Sequence, residues 1–96
     1  YYLIMNPTEV ITEAIEEMNE FRDSNEQIDK SYTGVLIGPN GILDSLGTTT
    51  FILTIESKLE ELQGKKIDIA SIILSDDGIN KDFDLKTLAA LIDGQL

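Results

Sequence analysis

Gly38-Pro39-Asn40-Gly41-Ile42-Leu43-Asp44-Ser45-Leu46-Gly47 is the stretch on which the reading of this chain turns. Pro39 fixes φ and the glycines tolerate positive φ, so residues 38–41 form a turn. The run that follows has neither proline nor glycine between Thr48 and Leu62, and it predicts an amphipathic helix over 45–62. Ser45 reads as the N-cap, its hydroxyl set among backbone N–H groups that lack intrahelical partners. Those N–H groups and the positive end of the helix dipole also suit a phosphate ester on the same oxygen. A capping serine and a phospho-ester attachment point are compatible readings of one residue.

The predicted helix carries two apolar faces. At about 100° per residue, Phe51, Ile52, Ile55, Leu59 and Leu62 form one broad stripe that is expected to pack into the core. Leu46 and Leu53 fall almost opposite, flanked by Thr49 and Thr50. This narrower strip starts beside Ser45. It is either a partner-docking surface or a seam covered by another element, and the residues alone leave both open.

Toward the N-terminus, Asn6-Pro7-Thr8-Glu9 is a helix start, with Asn6 as cap and Pro7 at the first helical position. Val10, Ile11, Ala14, Ile15, Met18 and Phe21 recur at helical spacing, opposite Glu13, Glu16, Glu17 and Glu20, and predict a helix over 7–22. Residues 22–43 show no sustained period. A connection of about 20 residues is long for a compact domain, and such loops cross between distant elements or serve a site. Tyr32, Val35, Leu36 and Ile37 are its apolar anchors. Residues 1–5 are read as a ragged N-terminus or tag, and 6–96 as one domain.

Toward the C-terminus, Gly64 reads as the residue that ends the second helix, with Lys65 and Lys66 near its negative end. Ile67 to Leu74 fits a short strand or a short helix equally. Ser75-Asp76-Asp77-Gly78 is a turn. Asp84 caps a last helix whose buried stripe is Leu85, Leu88, Leu91 and Ile92, with Gly94 ending it. The fold class is therefore all-α: a small bundle of three long helices and one short, with a long loop between the first two.

Composition narrows the chemistry. The 96 residues carry a net charge of −11, which argues against nucleic acid and anionic membrane and favours partners with basic patches. There is no cysteine and no histidine, so the chain offers neither a thiolate nor an imidazole. No apolar run is long enough to span a bilayer and no signal-peptide pattern opens the chain, so a cytoplasmic protein is expected. The acidic run from Asp76 to Asp84 fails as an EF-hand, because counting from Asp76 puts Gly78 third, Lys81 sixth and Thr87 twelfth. No metal site is expected. Asp44 beside Ser45 is not a catalytic dyad, since chain neighbours do not bring a base onto the hydroxyl. An enzyme is not expected.

At Asp44-Ser45-Leu46, in the order helix, long loop, motif, amphipathic helix, short segment, helix, the chain resembles the acyl carrier proteins. The likeness runs from about Asn6 to Leu96. The stretch from Gly38 to Gly47 looks especially like free-standing carriers of specialised pathways, and Phe51, Leu53, Ile55 and Glu56 stand at the family's spacing. The resemblance implies that Ser45, with Asp44 and Leu46 beside it, bears a 4′-phosphopantetheine arm taken from coenzyme A. The arm's thiol would hold acyl or aminoacyl groups as thioesters. It implies partner docking through Leu46, Thr49, Thr50, Leu53 and Glu56, and an acyl-chain pocket at Phe51, Ile55, Leu59, Leu88 and Leu91. It implies as partners a phosphopantetheinyl transferase and acyl-activating, condensing or acyl-transferring enzymes, with the carrier itself a monomer. One departure stands out. From Ser45 to Ile55 no residue is charged, where housekeeping carriers are acidic just after the serine. Docking is therefore expected to lean on apolar contact, with Asp44 and Glu56 as the local charges. Two other readings stay open: a cofactor-free acidic helical interaction module, and a small acidic metal-binding protein.

Overall fold

The computed structural model describes residues 6–29, 31–64 and 66–96. In chain order it contains α1 (Pro7–Asn19), β1 (Val35–Ile37), α2 (Ser45–Gln63), α3 (Ala70–Ile73), a 3₁₀ turn (Gly78–Asn80), β2 (Phe83–Asp84) and α4 (Leu85–Gln95). Three long helices and one short one are thus joined by a small antiparallel strand pair, Val35 opposite Asp84 and Ile37 opposite Phe83. The pair departs from a purely α description. The expectations for residues 1–5 and for Lys65 lie outside the described residues.

The core forms where the apolar stripes meet. α1 packs against both α2 and α4. Val10, Ile11, Ala14, Ile15 and Met18 of α1 are buried with Phe51, Ile52, Ile55 and Leu59 of α2 and Leu88 and Ile92 of α4. Leu62, Leu85 and Leu91 are only partly buried at the edge of that cluster. Asn6 caps α1, its Oδ1 accepting from the Glu9 N–H at 2.9 Å. α1 ends at Asn19, short of the predicted residue 22, and this changes the fate of Phe21. Expected on the buried stripe, it leaves the helical register and stands 90% exposed.

Asn19 explains the early stop. Its side chain pairs with the backbone of Ile28, donating from Nδ2 to the carbonyl at 2.8 Å and accepting at Oδ1 from the N–H at 2.9 Å. This holds the start of the long loop against the end of α1 and lets Ile28 reach the core. Further along, Leu36 and Ile37 are buried, and the Ile42 and Leu43 N–H groups donate to the Val35 and Leu36 carbonyls at 3.1 and 3.2 Å. The segment leading to Ser45 is therefore fixed on both sides, by β2 and by its own return.

Gly64 ends α2 in the left-handed region at φ 71°, as its sequence position predicts. The ambiguous segment 67–74 resolves into the one-turn helix α3. Asp84 caps α4 through a reciprocal box: its Oδ1 accepts from the Thr87 N–H at 2.8 Å, and Thr87 Oγ1 accepts from the Asp84 N–H at 2.8 Å. Gly94 does not end α4, which continues to Gln95.

Candidate functional site

Ser45 sits at the first position of α2, not at its cap. The cap is Asp44, in extended conformation (φ −78°, ψ −176°), with Oδ1 accepting from the Gly47 N–H at 2.7 Å. Two residues with capping side chains stand next to each other here, and the carboxylate takes the role because it also meets the dipole with a full charge. The expectation that Ser45 caps is therefore corrected. The correction leaves the serine side chain without a capping task, and the residue is exposed. Asp44 directs its bonded oxygen to Gly47, two residues beyond the serine.

A cleft of about 320 Å³ opens beside this serine, with Leu43, Thr48, Ile73, Leu74 and Ile79 among the residues around it. Its lining is mostly apolar and includes the hydroxyl residues Ser45, Thr48 and Thr49. Gly38 and Pro39 of the turn before α2 and Ile73 and Leu74 at the end of α3 contribute to it. Leu74 and Ile79 were not indicated by periodicity. The one signal for them in the sequence is that they flank the Ser75-Asp76-Asp77-Gly78 turn on either side.

The second wall of the cleft is held in place by α2 itself. Glu56 is half-buried, and its Oε2 accepts from the Ile69 and Ala70 N–H groups at 2.8 and 3.0 Å. The Ile69 cap has no side-chain acceptor, so Glu56 takes these two donors, while Asp68 Oδ1 accepts from the Ser71 N–H at 3.1 Å. The two carboxylates expected as local docking charges, Asp44 and Glu56, are thus both engaged as helix caps within the fold.

The apolar strip of α2 is open: Leu46 is 76% and Leu53 57% exposed, with Thr49 and Thr50 exposed between them. Phe21 and Leu46, but not Leu53, line a shared groove with Met18, Gly47 and Thr50 and with the charged Arg22, Glu26 and Asp44. Phe51, Ile55, Leu59 and Leu88, expected around an acyl chain, are close-packed in the core, and Leu91 is partly buried beside them. The cleft at Ser45 is lined by other residues.

Two aspartates of the acidic run after α3 have structural employment. Asp82 bonds Asn40, Asp84 caps α4, and the Ser75 hydroxyl accepts from the Gly78 N–H at 3.0 Å. Among the described residues, no group of three His, Cys, Asp or Glu side chains is arranged to hold a metal ion, and no helix is long and apolar enough to cross a membrane. No protein-family model matches the chain, nor does any curated protein or any solved structure.

Proposed function

We propose that this protein is an acyl-carrier-like protein, folded as a small helical carrier bundle, that bears a 4′-phosphopantetheine arm on Ser45. The observation that supports this reading most is the serine itself: exposed, without a capping role, at the amino end of a 19-residue helix and beside a mostly apolar cleft. The residues present fit such a group. The attachment oxygen is open, the helix end favours a phosphodiester, and the nearest carboxylate is already bonded to Gly47.

When attached, the arm supplies the thiol that this cysteine-free chain lacks, and acyl or aminoacyl groups are held on it as thioesters. The chain's own residues do the rest. Asp44 fixes the first turn of α2 so that Ser45 is presented in one orientation. Glu56 holds α3 against α2 and keeps the cleft beside the serine shaped. Leu46 and Leu53, with Thr49 and Thr50 between them, offer an apolar docking strip to a phosphopantetheinyl transferase and to acyl-activating, condensing or acyl-transferring enzymes. The exposed strip equally suits a cofactor-free interaction module, and one experiment separates the two. The purified protein is incubated with coenzyme A and a broad-specificity phosphopantetheinyl transferase, then weighed intact. Gain of one phosphopantetheine by wild type and none by Ser45→Ala is the expected result; an unchanged wild-type mass rejects the carrier reading.

A further inference from the structure

Asn40 and Gly41 form the chain's one Asn-Gly pair; Asn6, Asn19, Asn25 and Asn80 are followed by Pro7, Glu20, Glu26 and Lys81. Asparagine is among the chemically labile residues. A following glycine raises that lability, because no Cβ hinders its backbone nitrogen from reaching the side-chain carbonyl carbon. In the folded protein both nitrogens of that reaction are engaged. Asn40 Nδ2 donates to Asp82 Oδ2 at 2.8 Å, and the Gly41 N–H donates to the Gly38 carbonyl at 2.9 Å. The Asn40 N–H completes the contact, donating to Asp82 Oδ1 at 3.0 Å.

The fold also imposes this dipeptide. A Cβ on Gly41 would stand 2.6 Å from the Leu36 carbonyl oxygen and 2.9 Å from the Ile37 carbonyl carbon, so the position takes only glycine without a backbone shift. Asn40 supplies the amide that Asp82 binds. A reactive pair is therefore built into an exposed turn, with a carboxylate placed on its leaving nitrogen.

The geometry points to Asn40–Gly41 as a self-modification site held in check by the Asp82 latch. When the latch opens, the Gly41 nitrogen loses its proton to solvent and bonds to Asn40 Cγ. The Cγ–Nδ2 bond breaks and the nitrogen leaves as ammonia. Water then opens the five-membered imide at either carbonyl, giving aspartate or isoaspartate. One water is consumed, one ammonia is released, and nothing is oxidised or reduced. The product sets a carboxylate where the amide donated to Asp82, so a like-charge contact replaces the side-chain hydrogen bond and opposes the remaining one from the backbone N–H, and the latch does not re-form. Gly38 and Pro39 border the cleft at Ser45, so the change acts on the wall of that cleft. This inference stands independently of what Ser45 carries.

The test follows the mass of one tryptic peptide. Residues 31–58 lie between Lys30 and Lys58 and contain one asparagine and no glutamine, so exchange of NH₂ for OH there reports Asn40 alone. Full-length wild type is held at mildly alkaline pH, folded and in urea, beside folded Asp82→Ala. Folded wild type is expected to react about tenfold more slowly than both, the protection that hydrogen bonds to a charged acceptor give. Equal rates in the three samples, or no mass gain in urea, overturn the proposal. Asn40→Asp, the mimic of one product, is expected to lose hydrogen-exchange protection at the Gly41 amide; wild-type protection there would also overturn it.

Discussion

Glu56 of α2 closes the amino end of α3, its Oε2 lying 2.8 Å from the Ile69 nitrogen. A single-turn helix cannot sustain itself, because nucleation costs more than its few hydrogen bonds return. α3 is therefore held by this carboxylate, by the Asp68 side chain on the Ser71 N–H and by buried Ile69 and Ile73. Glu56→Ala leaves two backbone donors without that acceptor and is expected to cost about 1–3 kcal/mol in urea unfolding. Glu56→Gln keeps a carbonyl acceptor and is expected to lose about half as much. Hydrogen exchange at Ile69 and Ala70 should quicken in the alanine variant first. Unchanged exchange at both amides would mean that packing and the Asp68 bond to Ser71 hold α3 without Glu56.

The glycines divide by what a side chain would meet. At Gly41 a Cβ would press on the Leu36 carbonyl, whereas at Gly94, inside α4, nothing lies within 4 Å. Gly41→Ala is expected to destabilise by about 1–3 kcal/mol, since backbone must move to admit the methyl. Gly94→Ala is expected to stabilise by up to about 1 kcal/mol through helix propensity, less if the last turn frays. Thermal melts of both variants decide this. A destabilising Gly94→Ala would show that α4 stops before Gln95.

Much of this architecture is legible in the residue order, for local reasons. Asn6-Pro7, Gly64 and Asp84 each satisfy helix ends through neighbours a few residues away, and the α2 stripe is long enough to show its period. What is not legible is tertiary. β1 and β2 span three and two residues, too short to display alternation, and pair across a separation of more than forty positions. Phe21 continues the α1 period in sequence, yet the bond from Asn19 to Ile28 turns the chain before it. The cleft at Ser45 depends on α3, and α3 on Glu56. Adjacent Asp44 and Ser45 both suit a cap, and only geometry distinguishes them.

Acid should expose the α4 cap. Asp84 is held below its usual carboxyl value of 3.8, first by the Thr87 N–H and then by the Thr87 hydroxyl. A carboxyl depressed on folding contributes stability above its unfolded value and loses it as pH falls through the folded one. The stability gap between wild type and Asp84→Asn should therefore be full at neutral pH and close as pH drops below 3.8. Comparing the two proteins removes most of the general charge repulsion that acid also relieves. A gap that stays constant into strong acid would assign the cap's contribution to shape rather than charge.

Lys58 ties α2 to α1. Its ammonium bonds Glu17 and lies 3.4 Å from Glu13 Oε1, with the lysine side chain only 18% exposed. Burial pulls its pKa down, but Glu17 and then Glu13 outweigh it and hold the group above its ordinary 10.5. A raised lysine contributes below its unfolded value and loses that contribution as pH rises through the folded one. Lys58→Met keeps the apolar stem and removes the charge between two glutamates a helical turn apart, at an expected cost of about 1 kcal/mol or less, since both partners are half-exposed. The cost should shrink with added salt and vanish in strong alkali. A salt-independent loss would point to packing.

Leu46 is among the most exposed large apolar residues described, and it carries the last expectation. It stands 76% exposed one position beyond Ser45, with Leu53 two turns further along the same face. Leu46→Ala should leave folding stability within about 0.5 kcal/mol, as surface changes away from caps and core do. Burying a leucine against a partner contributes about 1.5–3 kcal/mol, so kcat/KM for modification of Ser45 by the transferase should fall about tenfold or more in this variant. No side chain from Ser45 to Ile55 is charged, and Asp44 and Glu56 are bonded within the fold. Raising ionic strength from about 0.05 to about 0.5 M should therefore cost less than the leucine does, although it shortens electrostatic reach severalfold. Steep salt dependence with an unaffected Leu46→Ala would transfer docking from this strip to the acidic faces of α1 and the far end of α2.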